Sequence, residues 1–115
     1  MKNAQLLRIF IGESDKWEGR PLYQALVEVA RAEGLAGATV LKGFVGFGRN
    51  SELHTANILR LSEDLPVVVE IVDEAPKLEL FLKHVDRMMG DGLVTLEKAT
   101  ILLHRSRPAS RLKKK

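Results

Sequence analysis

"LPVVVEIVD", residues 65–73, is the stretch of the sequence that decides the fold. Its Val-Val-Val-Glu-Ile-Val run is too short and too rich in β-branched residues for a helix, so it predicts the central strand of a sheet. Pro66 agrees with this prediction, because the first position of a strand need not donate a hydrogen bond to its neighbour. The other segments are interpreted as elements built around this sheet.

Two amphipathic segments predict helices. "PLYQALVEVARAE", residues 21–33, and "APKLELFLKHVDRMMG", residues 75–90, place apolar residues three and four positions apart, which gives each helix one apolar face. Pro21 stands in the first turn, where proline is tolerated. Gly34 is expected to end the first helix in the left-handed conformation, and Gly90 is expected to stop the second.

Three further segments predict the remaining strands: "AQLLRIFI", 4–11, "GATVLKGFVGF", 37–47, bent or bulged at its glycines, and "LVTLEKATILLH", 93–104. Turn-forming and charged residues 12–20 predict a loop, and the polar residues 48–57 belong to a longer one. The order is strand, helix, strand, long loop, strand, helix, strand. This βαββαβ order is typical of the ferredoxin-like α+β class, a four-stranded antiparallel sheet with two helices on one face.

The other face of this sheet is expected to need a cover. Phe10, Phe44 and several valines are expected on this face, and a sheet face this apolar does not remain exposed to water. Packing against copies of the same chain would hide it. We therefore expect a closed homo-oligomer.

Composition bounds the class of protein. A chain of 115 residues suits one domain, and 45% hydrophobic with 29% charged residues is an ordinary globular balance. No apolar run approaches the length of a membrane span, and the charged first residues lack the pattern of a secretory signal. The sequence contains no cysteine, which excludes disulfides and thiolate metal sites. Together these features predict a cytoplasmic location.

Positive charge is concentrated in the last residues. "RSRPASRLKKK", 105–115, holds six cations and no acid, which leaves residues 1–104 with a net charge of −3. We predict a folded domain over 1–104 and a disordered basic tail over 105–115. The tail either contacts nucleic acid or an anionic membrane or only aids solubility.

Two glycine turns suggest an anion site. In "GFGR", Gly46 and Gly48 let the backbone approach an anion, and Arg49 adds a charge that suits phosphate. The second turn is "GDG", residues 90–92. Each has a structural alternative: a strand bulge for the first and a helix stop for the second. If the two turns meet across a subunit boundary, they frame a cleft suited to phosphate, with cations available from Arg87, Lys98, Arg105 and Arg107.

Catalytic and metal-binding patterns are weak. The serines lie in loops or the tail without a nucleophile motif, and no two of His54, His84 and His104 have metal-ligand spacing. His54, in the long loop, is either a ligand contact or a plain loop residue. Glu13 and Asp15 either bind a cation, a ribose or an amine, or are solvated surface charges. We therefore predict a protein that is not an enzyme and holds no metal.

Several motifs resemble those of a known family. The stretch from "GATV" to "VEIVD", residues 37–73, and "MMGDGLVTLEKATILLH", residues 88–104, are similar to PII-like signalling proteins. With the opening "LLRIFIGESDKWEGRPLYQAL", residues 6–26, the chain resembles the uncharacterised PII-like family of the UPF0166, or domain of unknown function 190, type in the GlnB-like superfamily. The resemblance covers about residues 4–104.

The resemblance implies a homotrimer with small ligands, most often adenine nucleotides, in the clefts between subunits. It assigns backbone contacts to the two glycine turns and so, in this chain, to Gly46, Phe47, Gly48, Arg49, Gly90, Asp91 and Gly92. Leu93 stands where nitrogen-regulating relatives have a phosphate-binding lysine, and the only tyrosine is Tyr23 in the first helix. AMP, ADP or a smaller anion therefore remains an alternative to ATP as the ligand. Arg105 and Arg107 are candidates to replace the lysine.

The leading hypothesis is a PII-like regulatory protein that responds to a ligand. An anionic ligand, an adenine nucleotide in the first instance, would reposition the 48–57 loop and so control a partner such as a membrane transporter or channel. His54, Arg105, Lys98, Glu13 and Asp15 are further candidate contacts. The alternatives are a structural or nucleic-acid-binding trimer that uses the tail and, ranked lower, a small hydrolase that uses Glu13, Asp15 and His54.

Overall fold

The computed structural model describes residues 2–48, 54–55 and 64–106. It contains eight strands and two helices within those residues. In chain order the elements are β1 (Lys2–Gly12), β2 (Lys16–Trp17), β3 (Arg20–Pro21), α1 (Leu22–Ala32), β4 (Thr39–Lys42), β5 (Val45–Gly46), β6 (His54–Thr55), β7 (Pro66–Asp73), α2 (Ala75–Met88) and β8 (Leu93–Ile101).

Four of these strands form the main sheet. Their order is β4-β7-β1-β8, and each neighbouring pair is antiparallel. The helices α1 and α2 pack against one face of this sheet and contact each other. This arrangement confirms the predicted ferredoxin-like fold, with the run at 66–73 as a central strand.

The core lies between the sheet and the two helices. Alternate residues of β1 and β7 point into it, and the largest helical contributions are fully buried. Burial of one such aliphatic or aromatic side chain contributes about 1.5–3 kcal/mol. The core therefore depends on these strand and helix residues: Leu7, Ile9, Ile11, Val67, Val69, Ile71, Leu22, Leu26, Leu78 and Phe81.

The two helices end in different ways. Gly34 has a φ of 79°, and the amides of Gly34 and Leu35 donate to the carbonyls of Arg31 and Ala30, so the predicted left-handed stop is confirmed. The prediction for Gly90 is wrong. The second helix ends at Met88 and is followed by Met89 in an extended conformation, with φ −91° and ψ 132°.

Residues 12–20 were expected to form a plain loop, and that prediction is wrong. Lys16 pairs with Pro21 and Trp17 with Arg20 in a small hairpin. Its turn holds Glu18 at φ 49° and Gly19 at φ 80°, the left-handed pair of a tight hairpin turn. The reason is tertiary, because Trp17 packs against the hydrophobic core instead of remaining in solvent.

Two predicted strands differ from the structure in their bounds. The segment 37–47 is interrupted after Lys42, and β5 starts at Val45 after a gap of two residues, so the expected irregularity at a glycine is confirmed at Gly43. The last strand ends at Ile101, three residues before the expected end at His104. Within the described residues, neither helix combines the length and apolar character needed to cross a bilayer.

The sheet face away from the helices, here called the open face, is organised in rows across the strands. Leu41, Val68, Phe10 and Leu93 stand opposite one another on four neighbouring strands and form an apolar row. The next row is Thr39, Glu70, Arg8 and Thr95, here called the ionic row. Exposed fractions of 49% for Leu41, 36% for Phe10 and 57% for Leu93 show that the apolar row has no cover within one chain.

Candidate functional site

The two glycine turns lie at the same end of the main sheet but at opposite edges. Gly43 donates to the carbonyl of Pro66, Pro66 stands opposite Gly12, and Leu93 stands opposite Phe10. The strand order puts residues 43–48 beside the β4 edge and residues 90–92 beside the β8 edge. With about 4.8 Å between neighbouring strands, three spacings separate them by about 14 Å. Within one chain the two turns therefore do not form a single pocket. We call this end of the sheet the turn end.

The glycines of the first turn do not all serve the same purpose. A Cβ atom at Gly43 or Gly46 would lie 2.9 or 3.0 Å from Cγ of Pro66, so both residues allow the chain to pack on the proline ring. A Cβ atom at Gly48 would meet no atom of the described residues within 4 Å. Packing alone explains Gly43 and Gly46, whereas Gly48 leaves open space beside the backbone.

Large apolar side chains surround these glycines. Phe44, Val45 and Phe47 are 81%, 57% and 69% exposed. Their backbone is held by β5, in which Val45 pairs with Thr55 and Gly46 pairs with His54. The structure thus brings the predicted residues 46 and 54 together through their backbones. Arg49, also a predicted contact, lies outside the described residues.

The second turn is shaped by close packing. Gly92 has a φ of 149°, and a Cβ atom there would lie 2.6 Å from the carbonyl oxygen of Phe10 and would also clash with a methyl carbon of Met89. Only glycine fits at position 92, because side chains disfavour this backbone conformation and the neighbouring atoms leave no room for a Cβ atom. A Cβ atom at Gly90 would meet nothing within 4 Å, and Asp91 is exposed. Gly90 and Asp91 are the members of this turn that a ligand can approach.

Two predicted cations lie far from the second turn. Lys98 stands opposite Gln5 in the further half of β8, where it lines a surface groove with residues 3–5 of β1 and with Ala75 at the start of α2. Arg105 follows the end of that strand. At about 3.3 Å per residue, the eight steps along β8 span about 26 Å. Arg105 thus cannot replace the missing lysine at the turn of its own chain, and the prediction remains only for a site shared with another copy.

Glu13 and Asp15, the predicted accessory contacts, are engaged within the protein. The Glu13 carboxylate lies 2.7 Å from the ammonium of Lys42, and Asp15 Oδ2 accepts a hydrogen bond of 3.0 Å from the amide of Gly12. The amide of Ser14 donates to Asp64 Oδ1 at 2.7 Å. Sequence reasoning missed Asp64, because nothing in the pattern connects it with a residue 50 positions away.

Two further sets of ion pairs lie away from the glycine turns. Arg8 donates to Glu70 at 2.9 Å and also pairs with Glu97, and the hydrogen bond to Glu70 is the main reason that the pKa of Arg8 is raised. Lys2 and Glu74 form an ion pair of 2.7 Å. Their hydrogen bond raises the pKa of Lys2 and lowers that of Glu74. In the described part of the chain, no three His, Asp or Glu residues are grouped to hold a metal ion.

Comparison with known sequences gives a consistent result. Residues 4–101 match the family model DUF190, described as "Uncharacterized ACR, COG1993". The chain is 41% identical over 98 residues to a "UPF0166 protein" of Aquifex aeolicus, covering 85% of this chain and 92% of that protein. It is 35% identical over 97 residues to a UPF0166 protein of Methanocaldococcus jannaschii, covering 84% and 89%.

Comparison with solved structures supports the fold. A structure of CPII from Thiomonas intermedia K12, bound to ADP and bicarbonate, has a TM-score of 0.57 at 14% identity, covering 86% of this chain and 88% of that one. A GlnK–ATP complex from B. subtilis has a TM-score of 0.56 at 11% identity, covering 86% and 84%. At these identities the likeness shows a shared PII-like fold.

Proposed function

The chain belongs to the DUF190 family, and we propose that it is a PII-like regulatory protein that binds an adenine nucleotide in clefts between its subunits. The observation that carries this proposal is the placement of the two glycine turns at one end of the sheet and at opposite edges. Two neighbours in fold are described as bound to ADP with bicarbonate and to ATP, which suggests the class of ligand to test.

A closed ring of three copies would complete the site. In such a ring each chain presents one edge to the next, so the residues at a β4 edge face those at a neighbouring β8 edge. Residues 43–48 of one copy would then lie beside residues 90–92 of the next. The open face supports assembly, because its apolar row is exposed in a single chain and association would remove it from water.

Within that cleft the ligand would contact backbone more than side chains. Gly48 and Gly90 offer backbone with open space beside it. Phe47 and Asp91 flank these positions, and Arg49 and His54 are the predicted side-chain contacts. Lys98 and Arg105 stay predictions, because they would contact the ligand only if a neighbouring copy brought the far end of its β8 to this cleft.

The regulatory mechanism is a change in the position of the long loop. A ligand shifts an equilibrium only as far as it prefers one state, so a nucleotide in the cleft must favour one placement of the 48–57 loop. A partner that contacts this loop, such as a membrane transporter or channel, would then bind one ligand state better. Such a cycle needs binding and release and no turnover of the nucleotide.

Calorimetry with AMP, ADP, ATP and bicarbonate tests the proposal when each sample is also checked by sedimentation. We expect a trimer that binds at least one adenine nucleotide, and Gly48→Val should abolish binding because its side chain enters the proposed cleft. Gly37→Val is the matched control, since a Cβ atom at Gly37 also meets nothing within 4 Å but lies before β4. Heats equal to buffer for every nucleotide with a sample that sediments as a trimer would exclude the nucleotide function.

A further inference from the structure

Residues 12–15, here called the anchor turn, connect three strand ends at the turn end of the sheet. Its backbone groups and carboxylates bond within the turn and to three other segments: the start of α1, the end of β4 and residues 64–65. Asp15 closes the turn by accepting from the Gly12 amide, and the Asp15 carbonyl accepts from the amide of Leu22 at the start of α1. The anchor turn is thereby fixed to the first helix, which belongs to the folded core.

The anchor turn also holds both ends of the segment 43–63. Where this segment leaves the sheet, Lys42 pairs with the Glu13 carboxylate at 2.7 Å. Where it returns, the Glu13 amide donates to the carbonyl of Leu65 at 2.8 Å and the Ser14 amide donates to Asp64 Oδ1 at 2.7 Å. One short turn therefore links the two ends of the segment that carries the first glycine turn.

Gly12 makes the contact with Asp64 feasible. A Cβ atom at residue 12 would lie 2.8 Å from Oδ2 of Asp64 and 3.0 Å from Oδ1. The Gly12 backbone does not occupy the left-handed region, so alanine can adopt its conformation. An added methyl group would instead displace the carboxylate and weaken its hydrogen bond with Ser14.

We propose that the anchor turn positions the segment bearing Gly46 and Gly48, and that Asp64 is its positioning residue. Asp64 acts through the Ser14 amide, which ties the returning end of the segment to the same turn that pairs with the leaving end. A ligand that depends on the placement of Gly48 is then coupled to this hydrogen bond. This last step rests on the proposed nucleotide function, whereas the link between the two ends does not.

Hydrogen exchange in three variants tests the link without any ligand. Gly12→Ala and Asp64→Ala should each speed exchange of the Ser14 amide about tenfold, the factor that corresponds to a lost hydrogen bond of about 1.4 kcal/mol. Both should also speed exchange at Gly43, which bonds to Pro66 beside the anchored end. The Gly12→Ala/Asp64→Ala double variant should be no faster than either single variant, because both act on the same carboxylate. Gly37→Ala is the control and should leave these amides unchanged.

Asp64→Asn separates positioning from general stability. It keeps an acceptor oxygen, so Ser14 exchange should be slower than in Asp64→Ala, while the amide of Met89 at the end of α2 should be the same in all variants. Additive effects of Gly12→Ala and Asp64→Ala, or unchanged exchange at Gly43, would overturn the proposal. If Gly12→Ala does not fold, Lys42→Gln replaces it as the variant that releases the leaving end, and unchanged Ser14 exchange there counts against the link.

Nucleotide binding supplies the second readout. Asp64→Ala should weaken nucleotide affinity about tenfold relative to Gly37→Ala, and a bound nucleotide should slow Ser14 exchange, since coupling between two sites is reciprocal. If the unaltered protein binds no nucleotide, the proposed function fails while the exchange result still decides the anchor. If it binds with equal affinity after Asp64→Ala, the positioning role fails while the proposed function stands.

Discussion

The two faces of the main sheet are made by the same strands and differ in what covers them. Leu7, Ile9 and Val69 on the helix-covered face are each 0% exposed, whereas Phe10 and Leu93 on the open face are 36% and 57% exposed. Ile9 and Phe10 are neighbours in β1 and point to opposite faces. The difference teaches that the helices of one chain cover one face, whereas the described residues leave the apolar row of the other face exposed.

Removal of a side chain from the covered face should have the largest effect. Ile9→Ala should lower the free energy of unfolding by about 2–5 kcal/mol, because it removes a fully buried aliphatic group and leaves a cavity. Phe10→Ala, one position further along the same strand, should cost much less within a single chain. Denaturant titration of both variants, at a concentration where sedimentation shows a single chain, provides the measurement. Equal losses would mean that the two faces are equally covered within one chain.

A charge on the open face should disrupt assembly and leave the single chain intact. Phe10→Asp introduces a carboxylate into the apolar row, next to Val68 and Leu93. Sedimentation should then show monomers that retain the circular dichroism of the unaltered protein. Leu80→Asp is the matched control, since Leu80 is 56% exposed on α2. If Phe10→Asp assembles as the unaltered protein does, the open face is not the contact.

A smaller effect is expected from the ionic row. Arg8→Gln leaves the carboxylates of Glu70 and Glu97 without the guanidinium that bridges them. Their mutual repulsion should lower the melting temperature at low salt and less so at high salt, because exposed charges are screened. Adding Glu70→Gln should restore most of the loss. Calorimetry at two ionic strengths measures it, and an Arg8→Gln variant with unchanged melting at low salt would argue against the bridge.

The smallest effect is expected at the exposed Lys2–Glu74 pair at the opposite end of the sheet. Because the pKa of Glu74 is lowered from 4.5, its contribution is present above that value and is lost as pH falls through the lower folded pKa. The pKa of Lys2 is raised from 10.5, so its contribution is lost only as pH rises above that value. Denaturant titrations between about pH 3 and 6, the range in which carboxyl groups titrate, should show a shallower pH slope for Glu74→Gln. An identical slope would exclude the pair as a source of pH dependence.

The fold was predictable from the sequence because its signals are local. Alternation in β1, the valine run in β7 and the spacing of apolar residues in both helices each act within one segment. The hairpin at 16–21 was missed, because it depends on Trp17 reaching a core made by distant residues. Glu18 in a left-handed turn position also gives no recognisable signal.

The candidate site was less predictable, because its parts meet through tertiary structure. Sequence order placed Arg105 near the second turn, but the nine residues of β8 carry it to the other end of the sheet. Gly46 was interpreted as an approach point for an anion, and its close neighbour is Pro66. Gly48 and Gly90 fit the interpretation better, since the space beside them is open.

The alignment of Leu41, Val68, Phe10 and Leu93 across four strands restricts how the gene can change in length. One codon inserted into or deleted from the middle of β1 would exchange Ile9 and Phe10 between the two faces and misplace each following residue of the strand. Insertions and deletions among homologous genes should therefore be concentrated between β5 and β7 and after β8. The central strands should keep a constant length even where their side chains diverge.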